Sequence, residues 1–174
     1  MRFDAQCDIA CVVYGPEDDP DSLIDEFASD VERSGGRPVG VIQRGRNCHS
    51  EDPKLGVVVL PRHNIVGLTL DTSPDDGCSL DPTRLSDLAQ HLAQSLRNGA
   101  DLLIINRYGR SEAAGGGLVN LIEQAFEANI PVLIAVSKRR FPDWIRFCKG
   151  MNVCLGCSRD EVDRWWRSTQ ETAV

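Results

Sequence analysis

The sequence predicts an α/β fold of three layers: a mostly parallel sheet, helices on both faces and an inserted antiparallel hairpin. Three observations carry this. From Asp101 to Val136, the aliphatic run Leu102 to Ile105 leads into a polar loop, after which Leu118, Leu121, Ile122, Ala125 and Phe126 recur at helical spacing and Val132 to Val136 is apolar again. Two strands buried on both faces and joined by a helix make a βαβ unit of a parallel sheet. The chain opens in the same order, with Ile9 to Tyr14, an amphipathic stretch and Val39 to Ile42. Between these units, Gly56 to Leu60 and Ile65 to Leu70 flank Pro61, Arg62, His63 and Asn64, the pattern of a hairpin that can form a sheet edge.

Gly15-Pro16 breaks the first strand into an acidic loop, Glu17, Asp18, Asp19, Pro20 and Asp21. Ser22 or Asp21 is the expected cap of the helix that follows. Its buried stripe is Leu23, Ile24, Phe27, Ala28 and Val31, and Gly35-Gly36 ends it. A polar segment, Gln43 to Pro53, separates the second strand from the hairpin, and Asp71 to Asp81 is an irregular stretch suited to a lid. Asp81-Pro82 starts a helix whose face is Leu85, Leu88, Ala89, Leu92, Ala93 and Leu96, stopped by Asn98-Gly99. Beyond the central unit come a short helix around Trp144 to Cys148, an apolar segment Met151 to Leu155, and a last helix anchored by Val162, Trp165 and Trp166.

With 174 residues and 41% hydrophobic content, residues 1–174 fit a single domain, the hairpin insertion occupying about residues 55–70. A net charge of -7 argues against holding nucleic acid by phosphate neutralisation. No apolar run approaches the length needed for membrane insertion and no signal-peptide core is seen, so a cytoplasmic protein is expected. Seven cysteines fit reduced thiols better than a disulfide framework.

In an open parallel sheet, ligands bind beyond the carboxyl ends of the strands. Three loops qualify, starting at Gly15, Asn106-Arg107 and Ser137. The last two carry Arg107, Arg110, Lys138, Arg139 and Arg140, a set of cations suited to phosphate or another oxyanion. The plainer reading of the same cations is that they pair with Glu17, Asp18, Asp19 and Asp21. Gly115-Gly116-Gly117, expected at a helix start, would let backbone amides approach an anion. Cys154-x-x-Cys157 is by itself a poor zinc signal, and Cys48 with Cys78 is a candidate metal or thiol pair if the hairpin folds over the long loop. Ser111, Ser137 and the three histidines lack the context of a nucleophile elbow, so no catalytic residue is assigned.

The run ADLLIINRYG with its helix and IPVLIAV, and the first strand ending at Gly15, resemble the small P-loop nucleoside triphosphatases. More specifically, Gln43-Arg44, Cys48, Gly77-Cys78-x-Leu80-Asp81-Pro82, Asn106-Arg107-Tyr108-Gly109 with Glu112 and Gly115, and the terminal Trp-Trp are similar to an uncharacterised bacterial family of that class, whose members tend to be encoded beside molybdate-transport genes. The resemblance implies a P-loop-like fold. The apparatus of hydrolysis departs from the family's active members. A working phosphate loop needs a second glycine, a lysine and a hydroxyl. Here Gly15 is followed by Pro16, Glu17, Asp18, Asp19 and Pro20, and the acidic pair that orients magnesium is replaced by Asn106 and Arg107.

The expected function is therefore a degenerate P-loop-like accessory protein that binds an anion or nucleotide and does not hydrolyse it. Magnesium is not expected. The resemblance implies a link to molybdenum metabolism, with molybdate or a molybdenum-cofactor precursor as ligand and a molybdate-transport or cofactor-assembly protein as partner. The alternatives are a nucleoside triphosphatase with atypical metal ligands Asp18, Asp19 or Asp21, and a protein-interaction module.

Overall fold

The computed structural model describes residues 8–44, 56–68 and 81–171, apart from the side chains of Arg44, Arg110 and Ser111. Strands β1 (Ile9–Tyr14), β2 (Pro38–Arg44), β3 (Gly56–Leu60), β4 (Asn64–Gly67), β5 (Leu102–Ile105), β6 (Val132–Ser137) and β7 (Val153–Gly156) form one sheet. Its order is β4-β3-β2-β5-β6-β1-β7. Helices α1 (Pro20–Arg33), α2 (Pro82–Arg97), α3 (Arg110–Ala113), α4 (Val119–Glu127), α5 (Phe141–Cys148) and α6 (Arg159–Glu171) connect and cover it. The strands β2, β5, β6, β1 and β7 are parallel, and β3 and β4 form the expected antiparallel hairpin, with β4 as one edge.

Strand side chains alternate between faces, so one strand feeds two cores. Cys11 of β1 joins a core with Leu88 and Leu92 of α2, Leu121 and Ile122 of α4, and Trp144 of α5. Ala10 and Val12 join the other, with Ile24, Phe27 and Val31 of α1 and Val162 and Trp165 of α6. Burial of each large aliphatic contributes about 1.5–3 kcal/mol, which explains why β5, buried along its whole length, carries only Leu and Ile. Gly40 in β2 is required by close packing: its φ is +147, and a Cβ there would lie 1.9 Å from the Ile104 carbonyl oxygen of β5.

Two local expectations are corrected, and a third is made specific. The cap of α1 is Asp19, not Ser22 or Asp21: its carboxylate accepts from the Ser22 backbone N at 3.1 Å and the Ser22 hydroxyl at 2.7 Å, and Pro20 takes the first helical position. The triple glycine does not start a helix. Gly115 and Gly117 have φ of +79 and +61, a turn between α3 and α4, and α4 begins at Val119. The apolar segment near Leu155 is a full parallel strand paired with β1.

The opening unit also differs in width. β1 and β2 are parallel but separated by β5 and β6, so α1 crosses over both on one face, while α5 carries the chain from β6 to β7 over the other. The chain therefore leaves β1 and β6 toward opposite faces, which opens a crevice at their carboxyl ends.

Candidate functional site

Sequence places Tyr14-Gly15, Asn106-Arg107 and Ser137-Lys138 at the ends of three parallel strands, and the register brings them side by side. Tyr14 pairs with Ser137, and the Lys138 backbone N donates to the Tyr14 carbonyl at 2.9 Å. Asn106 is buried at 1% exposure. Its Oδ1 accepts from the Gln43 backbone N at 2.9 Å, and its Nδ2 donates to Asp21 Oδ1 at 3.0 Å. The amide thus ties β5 to β2 on one side and to α1 on the other.

Arg107 grips Asp21 with two donors, Nη2 to Oδ2 at 2.7 Å and Nε to Oδ1 at 3.3 Å. Its Nη1 donates to the Tyr14 hydroxyl at 3.2 Å, and the guanidinium carbon lies 5.2 Å from the Tyr14 ring centroid. Burial works against the charge of this group, and the Asp21 carboxylate and Tyr14 more than offset it, so its pKa lies above the ordinary arginine value. Such a forked pair is the geometry in which arginine takes a carboxylate or a phosphate.

The first loop closes on itself in the same manner. The Gly15 backbone N donates to Asp18 Oδ2 at 2.6 Å, and the Asp18 N returns to the Gly15 carbonyl at 3.3 Å. A side chain at Gly15 would meet Lys138 Nζ at 3.3 Å and Asp18 Oδ2 at 3.5 Å, so ammonium and carboxylate both lie over this glycine. Backbone amides at the start of a helix are the groups that hold phosphate in a nucleotide site. Here Asp18 and Asp19 occupy the Gly15 and Ser22 amides, and Asp21 occupies the cation.

The loop after β5 is pinned from beneath. Glu112, 9% exposed, accepts from the Gly109 backbone N at 3.0 Å through Oε2 and from the Leu118 N at 3.2 Å through Oε1. Tyr108 turns into the core, its ring edge-on to Trp144 at 5.4 Å, while burial raises its phenol pKa. A cavity of about 190 Å³ lies beside this loop, with Val41, Ile105 and Leu118 on its apolar wall and Gln43, Asn106 and Arg107 among its polar groups.

The cations expected to converge part into three groups. Arg107 and Lys138 stand at the crevice. Arg140 donates to Asp143 of its own helix at 3.3 Å, and Arg139 is exposed in the turn before it. The backbone of Arg110 opens α3, and its side chain lies outside the described residues, as do Cys48, His49 and Cys78. Cys154 and Cys157 do not converge. Cys154 faces Cys11, whereas Cys157 packs against the α1 and α6 core on the opposite face. Among the described residues no group of three or more histidines, cysteines or acids is arranged to hold a metal ion, and no helix is long and apolar enough to cross a membrane. The roles of Tyr14 beneath Arg107 and of Glu112 under the loop were not anticipated from sequence. An aromatic residue immediately before the glycine of the first loop is the signal that could have found the former.

Comparison with known proteins agrees with this architecture. Residues 9–165 match the family described as protein of unknown function, DUF2478, and the chain belongs to that family. It is 33% identical over 168 residues to Molybdenum import ATP-binding protein ModC 2 of Bradyrhizobium diazoefficiens, a match that covers 92% of this chain and 18% of the relative. The chain thus spans less than a fifth of that relative's length. Among solved structures it is similar to THEP1 of Aquifex aeolicus, with a TM-score of 0.65 and 14% identity over 92% of this chain and 95% of that one. It is also similar to a human cancer-related nucleoside triphosphatase, with a TM-score of 0.61 and 13% identity over 94% and 96% of the two chains. The fold is that of the P-loop nucleoside triphosphatases.

Proposed function

We propose, from membership of this P-loop-like family, that the chain is a non-catalytic accessory protein of molybdenum import that takes a small oxyanion at Arg107 and Lys138. The observation that carries the reading is the internal exchange of charge at the crevice. The Asp21 carboxylate sits in the fork of Arg107, and the Asp18 carboxylate sits on the Gly15 amide beside Lys138. A triphosphate would meet three aspartates that already hold those donors, and Pro20 and Asp21 stand where phosphoryl transfer needs the second glycine and the lysine, with only the Ser22 hydroxyl in register. A single compact oxyanion needs fewer donors. It can displace one carboxylate from Arg107 and keep charge-assisted hydrogen bonds without magnesium.

The link to molybdenum is supported by the relative in which a segment similar to this chain forms part of a molybdenum import ATP-binding protein. That arrangement also favours a second reading, in which the chain works by contact with such an ATP-binding protein. The two readings are compatible, the anion site reporting ligand to the partner.

Calorimetric titration of molybdate and tungstate into the protein and into Arg107→Ala tests the site. Loss of at least tenfold in affinity, about 1.4 kcal/mol, is expected in the variant. Undiminished binding would place the ligand elsewhere. Magnesium-dependent release of phosphate from ATP or GTP, abolished by substitution of Asp18, Asp19 or Asp21, would replace the reading with that of an atypical hydrolase.

A further inference from the structure

The edge of the sheet opposite the hairpin holds a second chemical group, independent of the crevice. Cys11 of β1 and Cys154 of β7 are register partners on adjacent parallel strands, and their sulfurs are 3.7 Å apart. One amide gathers them. Asn152 Oδ1 accepts from Cys11 Sγ at 3.0 Å, from Cys154 Sγ at 3.5 Å and from Trp144 Nε1 at 3.1 Å, while its Nδ2 donates to Cys148 Sγ at 3.3 Å. Cys11 and Cys148 are buried, and Cys154 is exposed. An accessible thiol therefore lies beside a sheltered one, with a third held by the same side chain.

We propose that Cys154 is a site of oxidation by hydroperoxide and that Cys11 resolves it as an intramolecular disulfide. In the first step the Cys154 sulfur takes one oxygen from hydrogen peroxide as the O–O bond breaks. The thiol proton passes to the departing oxygen, leaving Cys154 sulfenic acid and water. In the second, the Cys11 sulfur attacks the Cys154 sulfur, the S–O bond breaks, and the hydroxyl leaves with the Cys11 proton as a second water. Two thiols are oxidised and one peroxide is reduced. A dithiol reverses the change by exchange.

The geometry favours Cys11 as the partner. A disulfide needs about 2.05 Å between sulfurs, so closure requires a movement of about 1.7 Å. β7 is four residues long and pairs with β1 as its neighbour in the sheet, so the edge can make that adjustment without moving the central strands. Burial raises the Cys11 thiol far above its ordinary value, with the neighbouring Cys154 adding to the effect. It keeps Cys11 protonated and so protected from direct oxidation, which leaves the exposed Cys154 as the thiol that meets the peroxide first.

The experiment treats the whole protein with stoichiometric hydrogen peroxide, alkylates the remaining thiols and maps the peptides by mass. The expected product is a cross-linked pair of peptides containing Cys11 and Cys154, short of two hydrogens and restored by dithiothreitol. Cys154→Ser, a change at an exposed position, abolishes the cross-link, and Cys148→Ser retains it. Three results would overturn the proposal: stable sulfenic or sulfinic acid on Cys154 with Cys11 still alkylated, a bridge from Cys154 to Cys148, or a cross-link that persists in Cys154→Ser.

Discussion

The loops after β1 and β5 both leave the carboxyl end of a parallel strand, and both satisfy backbone amides with carboxylates of their own chain, yet in opposite surroundings. Asp18 and Asp19 do so at the surface, where water would serve nearly as well. Glu112 does so in the interior, where no water replaces it. The contrast teaches which loop is structural and which is exchangeable. A buried acceptor is a fixed part of the fold, whereas an exposed carboxylate on an amide or a cation can yield to a competing anion.

The largest expected effect comes from Glu112→Ala, which strands the Gly109 and Leu118 amides. The loss should be about 3 kcal/mol, or about 6–12 °C in thermal unfolding followed by circular dichroism. Glu112→Gln keeps one strong acceptor and should recover about half. A Glu112→Ala protein as stable as the parent would erase the distinction between the loops.

Arg107→Ala comes next. It leaves Asp21 and Asn106 Nδ2 to rearrange in a site whose charged side chains are 31% and 26% exposed, so the loss is discounted for solvent to about 1–2 kcal/mol. Urea unfolding should show a lower midpoint with unchanged slope. A change in slope would mean that the pair organises more of the fold than the crevice.

Asp19→Ala removes the cap of α1 and should lose about 1 kcal/mol. The Ser22 hydroxyl, then the Ser22 amide, holds the Asp19 carboxyl below its ordinary range. A lowered folded-state pKa means that this stability is complete above the unfolded value, about 3.9, and disappears as pH falls through the lower folded value. The difference between parent and variant should thus be constant from about pH 5 upward and close in stronger acid. A difference that instead grows toward acid would contradict the cap's assignment. The smallest effect on stability belongs to Asp18→Ala, within about 0.5 kcal/mol, because its carboxylate sits in an exposed turn. Its readout is binding: freeing the Gly15 amide and Lys138 should tighten oxyanion binding in a filter or calorimetric assay. Weaker binding would make Asp18 part of the ligand's support rather than its competitor.

Much of the fold was legible because the central strands are buried on both faces and so read as unbroken aliphatic runs, as from Leu102 to Ile105. Asp81-Pro82 marked the start of α2 because cap and first-turn proline satisfy local rules that tertiary context left alone. At α1 two aspartates and a serine competed for the cap, and Pro20 decided it in favour of Asp19. The glycines after α3 misled because Glu112, a residue far from an obvious ligand role, holds the turn they make. At the crevice, sequence left the cations between pairing and ligand binding. The structure pairs Arg107 with Asp21, while Arg140 satisfies itself within its own helix. The thiol group around Asn152 was hidden from sequence, since its members come from β1, the end of α5 and β7.

The central claim, that the crevice exchanges an internal carboxylate for a small anion without magnesium, is tested most directly by thermal unfolding in molybdate, tungstate, phosphate, ATP and GTP, each with and without magnesium. At about 100 times its dissociation constant a ligand adds about 2.7 kcal/mol, or about 5–10 °C. The account predicts such a shift with an oxyanion, equal in the presence and absence of magnesium and cut to about half or less in Arg107→Ala. A shift confined to a nucleotide with magnesium would contradict it.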